Sequence, residues 1–445
     1  MSSPLLMDLT RLIGRAQFET PTGIDRVEFE YARHLLDAHP DRLRFVLRWR
    51  GHMRFLNHRA AALFLRFMDE QWRYNKSQQG RRTTRAVQRF LDDAELGAFA
   101  AAGDSAERRV ASRKLWRLKA RLLATSKQLT ARSLRGQEAI YVNVSHEGLH
   151  SESGLNALVA AGLLRPIFFV HDLIPITHPE YVKDGRPARH RRRMATMLKY
   201  GAALVANSRH TAEILSQYAQ EHGFAPPQAA VAPLGSAFPV YPSPQGPAAT
   251  PFFIALGTIE PRKNHIFLLQ LWRQMVERHG ESTPKLLVIG RRGWENENAI
   301  DLIERCPAIR SHVLECGCVG DDVLEYLISR CRAVLFPSFA EGYGMPLVEA
   351  MALKAPVIAS DLAVFREIGG GAPEFLNPLD GPGWMRMIEA YAADDSPART
   401  AQLRRIENVE IPSWKRHFAA FDAILASLAL ARAEPDAPRE LLRAS

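Results

Sequence analysis

Cysteine is scarce in this chain: Cys306, Cys316, Cys318 and Cys331 are the only four in 445 residues, and all lie in one stretch of the second half. Clustering of that kind excludes the disulfide framework of a secreted protein and fits reduced thiols in a cytoplasm. Cys316-Gly-Cys318 lacks the two-residue spacer and the second pair of a zinc ribbon, so no metal site is expected there. No Asp-x-Asp triplet occurs anywhere, which removes the obvious carboxylate pair for bridging a divalent metal to a diphosphate. Long charge-free apolar runs and a basic-then-apolar leader are also missing, so the chain is expected neither to span a membrane nor to be secreted.

What is present describes a globular protein. With 47% apolar and 24% charged residues the composition is ordinary, and the length fits two domains of about 200 residues each. The net charge is +10, and it is concentrated. From Arg108 to Arg135 there are ten Lys or Arg, with Glu107 the single acid beside them. Val110, Leu115, Leu118, Leu122 and Leu129 recur there at roughly helical spacing, the pattern of a basic amphipathic helix suited to an anionic membrane surface.

Short runs rich in Val, Ile, Leu and Phe alternate with helical patterns: Ile140–Val144, Ile167–Val170, Ala203–Ala206, Phe252–Ala255, Lys285–Ile289, Ala333–Phe336 and Pro356–Ala359, with helices over Arg209–Tyr218, Ile266–Arg278 and Asp321–Arg330. Strands buried on both faces and joined by helices make an α/β protein of two Rossmann-like domains facing across a cleft. The first domain is expected over 1–238, with a helical basic insertion at about 55–138. The Pro-rich stretch 239–251 reads as a linker. The second domain follows over 252–410, and a helix over 411–432 is expected to pack back toward the first domain. Beyond about 430 an Ala/Arg/Pro/Glu-rich tail is expected to fray.

The densest chemistry lies in Phe336-Pro-Ser-Phe-Ala-Glu341-Gly342-Tyr343-Gly344-Met345-Pro346-Leu-Val-Glu349. A strand ends, a loop with two glycines follows, and a helix begins near Pro346. Loops at the carboxyl ends of parallel strands are where open α/β sheets bind ligands, and a helix N-terminus favours phosphate. A helix cap and an ordinary turn would also explain these residues taken alone. The second element is Gly257-Thr258-Ile-Glu260-Pro-Arg262-Lys263-Asn264, again a strand-to-helix junction. Its adjacent guanidinium and ammonium suit a diphosphate, though a solvated basic turn would read the same way. In the first half, Val170-His171-Asp172-Leu-Ile-Pro175 and Asn207-Ser208-Arg209-His210-Thr211 follow strands. A structural histidine and a helix cap are their plain alternatives.

Together these elements resemble the family 4 retaining glycosyltransferases, also called group 1 glycosyl transferases, over most of residues 140–420. Glu341-x7-Glu349 is similar to that family's signature, and Gly-Thr-x-Glu-Pro-Arg-Lys-Asn to its phosphate-binding turn. The resemblance implies the glycosyltransferase-B fold, with the donor held mainly by the second domain and the acceptor by the first. It implies that Glu341 contacts the transferred sugar, Glu349 the ribose, and Arg262 and Lys263 the leaving diphosphate. His171 would donate a hydrogen bond to the sugar, and Asp172 would orient the sugar or a neighbour. Asn207 and Ser208 would line the cleft, with Gly342, Tyr343, Gly344, Met345 and Pro346 on the donor side. Val319, in Gly317-Cys318-Val319-Gly320, matches the place where the base is held by main-chain atoms. Gly23, in Thr20-Pro-Thr22-Gly23-Ile-Asp25-Arg26, matches the family's N-terminal glycine loop, of which only one glycine is present. Thr258 stands where some members carry an arginine, so a third diphosphate cation is not carried over.

The expectation is therefore a hexosyltransferase without cofactor and without metal, using a nucleotide-diphosphate sugar, with GDP-mannose favoured. The acceptor is expected to be a glycan or polyprenyl-linked saccharide of bacterial surface polysaccharide, lipopolysaccharide or capsule synthesis. The chain is expected in the cytoplasm, peripheral on the inner face of the cytoplasmic membrane. A nucleotide-sugar epimerase or a phosphorylase is the alternative on the same fold, although nothing suggests a phosphorylase's lysine-bound pyridoxal phosphate. A basic nucleic-acid-binding protein is the non-enzymatic alternative, motivated by 106–135 and by Arg189–Arg193. It lacks interleaved aromatics and any recognised module, so no nucleic acid partner is expected.

Overall fold

A computed structural model describes residues 3–18, 21–92, 106–134, 137–238, 247–317 and 319–430, with side chains for all of these except 73–82, 106–113 and 430. The expectations for the tail beyond 430, for Thr20, for Cys318 and for most of the linker lie outside the described residues.

Two parallel α/β sheets carry the chain. The first contains β1 (Leu5–Asp8), β2 (Leu43–Trp49), β3 (His52–Phe55), β4 (Lys127–Gln128), β5 (Ala139–Asn143), β6 (Leu164–Val170), β7 (Ala203–Ala206) and β8 (Ala229–Val231). Its order is β4-β3-β2-β1-β5-β6-β7-β8. β3 runs antiparallel to both of its neighbours, β2 and β4, and the remaining pairings of the sheet are parallel. The second sheet contains β9 (Phe252–Leu256), β10 (Lys285–Ile289), β11 (Val313–Cys316), β12 (Ala333–Phe336), β13 (Val357–Ser360) and β14 (Glu374–Leu376), all parallel in the order β11-β10-β9-β12-β13-β14. The central strands β5 and β12 are buried at every position. That burial is why they read as unbroken apolar runs rather than as alternation.

The basic insertion differs from the expectation in two ways. It contributes the short exposed strand β4 to the sheet edge, and it is not confined to the first domain. Its long helix His58–Leu91 packs against the helix Ala106–Ala124. At its far end Val87 and Leu91 join one apolar core with Cys316, Val323 and Leu324 of the second domain. The Lys285 ammonium stands over the Phe90 ring at 5.5 Å. Leu118, Leu122 and Leu129 are buried, so the apolar side of the amphipathic pattern faces protein.

The last helix, Trp414–Leu430, lies on the first domain. His417 sits between the Tyr31 hydroxyl at 2.9 Å and the Ala232 carbonyl at 3.0 Å. Phe418 and Phe421 pack edge-on against the Tyr31 ring, and Arg165 donates to the Leu428 carbonyl. Cys316 and Cys331 are buried free thiols, and burial pushes both up to about 12. Among the described residues no helix is long and apolar enough to cross a membrane.

Candidate active site

The site lies where the carboxyl ends of the two sheets face each other. On the second domain, β9 and β12 are hydrogen-bonded neighbours, so the loops that follow them meet, and the Phe339 amide donates to the Arg262 carbonyl at 2.9 Å. This contact joins the two sequence motifs into one cluster. Glu341 accepts from Lys263 Nζ at 2.6 Å and from Ser338 Oγ at 2.7 Å, both through Oε1, while its Oε2 lies 2.6 Å from Arg262 Nη1. Burial alone would push this carboxyl up, but the Arg262 and Lys263 charges more than reverse the effect and hold it at about 2. Arg262 also donates to Glu260 at 2.7 Å and to the Ala340 carbonyl at 2.6 Å. It is thus braced between two carboxylates, whereas among the described residues the Lys263 ammonium bonds to Glu341 alone.

The glycines of the loop have separate reasons. A Cβ on Gly342 would stand 2.7 Å from Asp172 Cβ and 2.9 Å from the His171 carbonyl, so the loop touches the opposite domain at that point. Gly344 has φ +108 where the helix Met345–Ala352 begins, a conformation that favours glycine. Between them Tyr343 is buried and its hydroxyl donates to the Leu234 carbonyl at 2.8 Å. It therefore anchors the loop to the first domain and offers a ligand its backbone rather than its ring. Pro346 occupies the first turn of the helix, and Met345 Sδ lies 3.4 Å from where a Cβ on Gly23 would be.

The first domain's His171 is buried, and its Nε2 donates to the Val144 carbonyl at 2.6 Å. Burial lowers it to about 4 despite that bond and the nearby Asp172 carboxylate. A neutral imidazole with Nε2 protonated has an unprotonated Nδ1. His171 can therefore accept a hydrogen bond from a sugar hydroxyl rather than donate one, which reverses the expected direction. Asn207 Nδ2 donates to the His171 carbonyl at 2.7 Å and His190 Nε2 to the Asp172 carbonyl at 3.1 Å, so both hold the turn. Asp172 itself accepts from the Ile174 amide at 3.1 Å. Ser208 caps the helix Arg209–Glu221 through the Thr211 amide at 3.0 Å, and Thr211 Oγ1 donates to the Gly342 carbonyl at 3.2 Å. Asp172, Thr211, Phe339, Glu341 and Gly342 line a cavity of about 220 Å³ between the domains.

The other end of the cleft holds Glu349, which is buried and 3.4 Å from Arg26 Nη1, with Asp321 at 3.7 Å from Arg26 Nη2. Thr22 and Asp25 form a capping box on the helix Gly23–Ala38, and this places Gly23 and Arg26 at the cleft. Val319 is half-buried against the core ahead of the helix Asp321–Arg330, and Thr258 is half-buried on the turn after β9 beside Gly293. The pairing of Arg26 with Glu349, the Ser338 bond to Glu341 and the bridging Glu367, described below, escaped the sequence reading. Ser338, three residues before Glu341, was the one signal available.

Residues 250–392 match the family model described as Glycosyl transferases group 1. That stretch is a group 1 glycosyl transferase domain. A serotype-specific mannosyltransferase WbdA of Escherichia coli is 30% identical over 290 residues, covering 59% of this chain and 33% of the relative. The O-antigen chain mannosyltransferase B of Escherichia coli is 32% identical over 164 residues, covering 37% of this chain and 42% of the relative. The chain thus spans less than half the length of these relatives. Anabaena Alr3699/HepE, solved in complex with UDP, aligns over 96% of this chain and 100% of its own, with a TM-score of 0.56 at 14% identity. The α,α-trehalose 6-phosphate synthase of Burkholderia multivorans aligns over 99% and 100%, with a TM-score of 0.57 at 12% identity. These likenesses show the glycosyltransferase-B fold.

Proposed function

We propose that the chain is a retaining, metal-independent hexosyltransferase that moves a sugar, mannose in the first instance, from a nucleotide-diphosphate donor to a glycan or lipid-linked saccharide of surface polysaccharide. The observation that carries this reading is the Glu341 carboxylate, held anionic between Lys263 and Arg262 opposite the His171–Asp172 turn. A diphosphate would compete with Glu341 for the same two cations, and Glu341 would then turn its oxygens to the sugar hydroxyls. As the glycosidic bond breaks, negative charge builds on the leaving phosphate oxygen. Lys263, Arg262 and the helix N-termini stabilise it, and that oxygen takes the proton of the attacking hydroxyl. The mannosyltransferase names of the two Escherichia coli relatives support mannose as the sugar.

A thermal-shift panel of nucleotide-diphosphate sugars tests the donor. A true donor at 100 times its Kd stabilises by about 2.7 kcal/mol, and GDP-mannose is expected to lead the panel. If no nucleotide sugar moves the transition, the reading fails. Transfer is expected to survive EDTA, and the product to keep the donor's anomeric configuration by NMR. A large loss restored by manganese overturns the metal-free mechanism. The reading includes peripheral attachment to anionic lipid. With Leu118 and Leu122 packed inward, the exposed groups of the described side chains on the helix Ala106–Ala124 include Lys114, Arg117, Arg121 and Trp116, the last 72% exposed. Sedimentation with anionic vesicles at low salt, reversed at high salt, is the expected result.

A further inference from the structure

The geometry points to a binding site for an oxyanion on the first-domain wall of the cleft, so that the acceptor is a phosphate- or carboxylate-bearing saccharide. This rests on the transferase reading and names the chemical class of its second substrate. The helix Arg186–Tyr200 follows the His171–Asp172 turn and carries Arg186, Arg189 and Arg193 at three- and four-residue steps, hence on one face. Glu147 accepts from Arg189 Nη2 at 2.8 Å and from Arg193 Nη2 at 3.0 Å. Asp25 accepts from Arg11 at 2.7 Å and from Arg15 at 2.9 Å. Each carboxylate therefore serves two guanidinium groups, and even with Asp172 counted the wall keeps net positive charge.

The two pairs lie within electrostatic reach of one another. Burial, and then the neighbouring Arg189, Arg11 and Arg186 charges, lower Arg193 against the pull of Glu147. Arg11 is also near enough to His171 for its charge to disfavour the imidazolium. Both groups of arginines thus stand near the turn where the sugar would be transferred, the helix Arg186–Tyr200 being tied to it by the His190 bond to the Asp172 carbonyl. At the mouth the Arg186 guanidinium lies over the Trp294 ring at 5.1 Å, and Trp294 Nε1 donates to the Tyr181 carbonyl at 3.2 Å, which brings the second domain against the same wall.

A brace between Glu147 and its helix would need one arginine. Two partly desolvated guanidinium groups on one carboxylate repel each other, and the Nε–H groups of both Arg189 and Arg193 are buried without an acceptor among the described residues. Such an arrangement is completed by a further anion, and the planar fork of arginine matches the oxygens of a phosphate or carboxylate. The leaving diphosphate already has Lys263 and Arg262 on the other domain. The remaining anion in a transfer reaction belongs to the acceptor.

The test uses the full chain saturated with GDP or UDP, titrated calorimetrically with mannose 1-phosphate, methyl β-glucuronide and methyl α-mannoside. The anionic sugars are expected to bind at least about tenfold more tightly than the neutral one, with the preference falling as salt rises. Whichever of the two anionic sugars binds better assigns the oxyanion as phosphate or carboxylate. Arg189→Gln with Arg193→Gln should abolish the preference while leaving nucleoside-diphosphate affinity unchanged. Glu147→Gln, which removes the competing carboxylate, should strengthen it. Equal binding of methyl α-mannoside, a preference that survives the double substitution, loss of nucleoside-diphosphate affinity in that variant, or weaker anion binding in Glu147→Gln each overturns the proposal. Failure of wild type to bind any nucleoside diphosphate overturns the transferase reading instead, and is seen before any sugar is added.

Discussion

On the second-domain side of the cleft one carboxylate, Glu341, is shared by two cations, and the pairing is nearly balanced once Glu260 is included. On the first-domain side Asp25 and Glu147 each hold two arginines and leave positive charge over. The second-domain cluster is compact and tied together by backbone contacts between neighbouring loops, and its two cations hold the buried carboxyl at about 2. The first-domain wall is spread over separate segments, around Arg11, Asp25, Glu147, His171 and the helix Arg186–Tyr200, and its histidine is neutral and buried. A balanced cluster is suited to exchanging one anion for another, carboxylate for diphosphate, with little reorganisation. An unbalanced wall is suited to recruiting an anion from solution.

The largest expected effect breaks the second-domain cluster. Glu341→Gln should depress kcat by about 10³-fold, because the amide cannot replace the carboxylate facing the sugar. Lys263 and Arg262 lose the competing negative charge in this variant, so affinity for the free nucleoside diphosphate should hold or rise. Lys263→Ala should lower kcat by roughly 10²-fold and weaken nucleoside-diphosphate binding as well, since charge on the leaving oxygen is greatest in the transition state. Turnover beside calorimetric titration separates the two patterns. Wild-type transfer by a folded Glu341→Gln enzyme would show that the site is wrongly placed.

The same contrast explains what the sequence could reveal. Glu341, Gly342, Gly344, Glu349, Arg262 and Lys263 are contiguous within two motifs, because the loops after adjacent parallel strands meet at one place. The alternation of apolar strands and helices made both sheets legible, since their central strands are buried on both faces. The first-domain wall is assembled from Arg11, Glu147 and the helix Arg186–Tyr200, whose meeting depends on strand order rather than spacing. The run Arg189–Arg193 was visible, but its pairing with Glu147 was not. Arg26 against Glu349, and Tyr343 against Leu234, exist only once the domains face each other. The direction of the His171 hydrogen bond depends on the Val144 carbonyl, which no local pattern reveals.

Acid should act on the first-domain wall before the second-domain cluster. His171 goes from an ordinary value of 6.5 to about 4 on folding, through burial, and the adjacent His146 and His190 are lowered as well. A lowered histidine is protonated first in the unfolded chain. Its contribution is therefore complete above pH 6.5 and is lost as pH falls toward 4, by about 3 kcal/mol for His171 alone. Glu341 is also lowered, and its contribution is lost only between pH 4.5 and about 2. Urea midpoints at pH 7, 5.5 and 4.5 should fall steadily, and His171→Asn should flatten the decline. A midpoint constant down to pH 4.5 would contradict a buried neutral His171.

The smallest effect concerns what holds the walls together. Glu367, on the second-domain helix Ala363–Gly369, accepts from the Arg209 amide at 2.6 Å and the His210 amide at 2.9 Å, at the start of the first-domain helix Arg209–Glu221. Ser208 already caps that helix locally through Thr211. Glu367 therefore satisfies two further N-terminal amides from across the cleft, and its charge complements the helix dipole. Losing such a cap costs about 1 kcal/mol, and here the amides freed by domain opening can bond to water. Glu367→Ala should accordingly leave the Tm almost unchanged, enlarge the radius of gyration by small-angle scattering, and raise KM for the donor about fivefold by reducing the closed population. The conservative Glu367→Gln, which keeps one acceptor, should fall between the two. A lowered Tm with unchanged scattering and KM would make Glu367 a local helix cap rather than a latch between the walls.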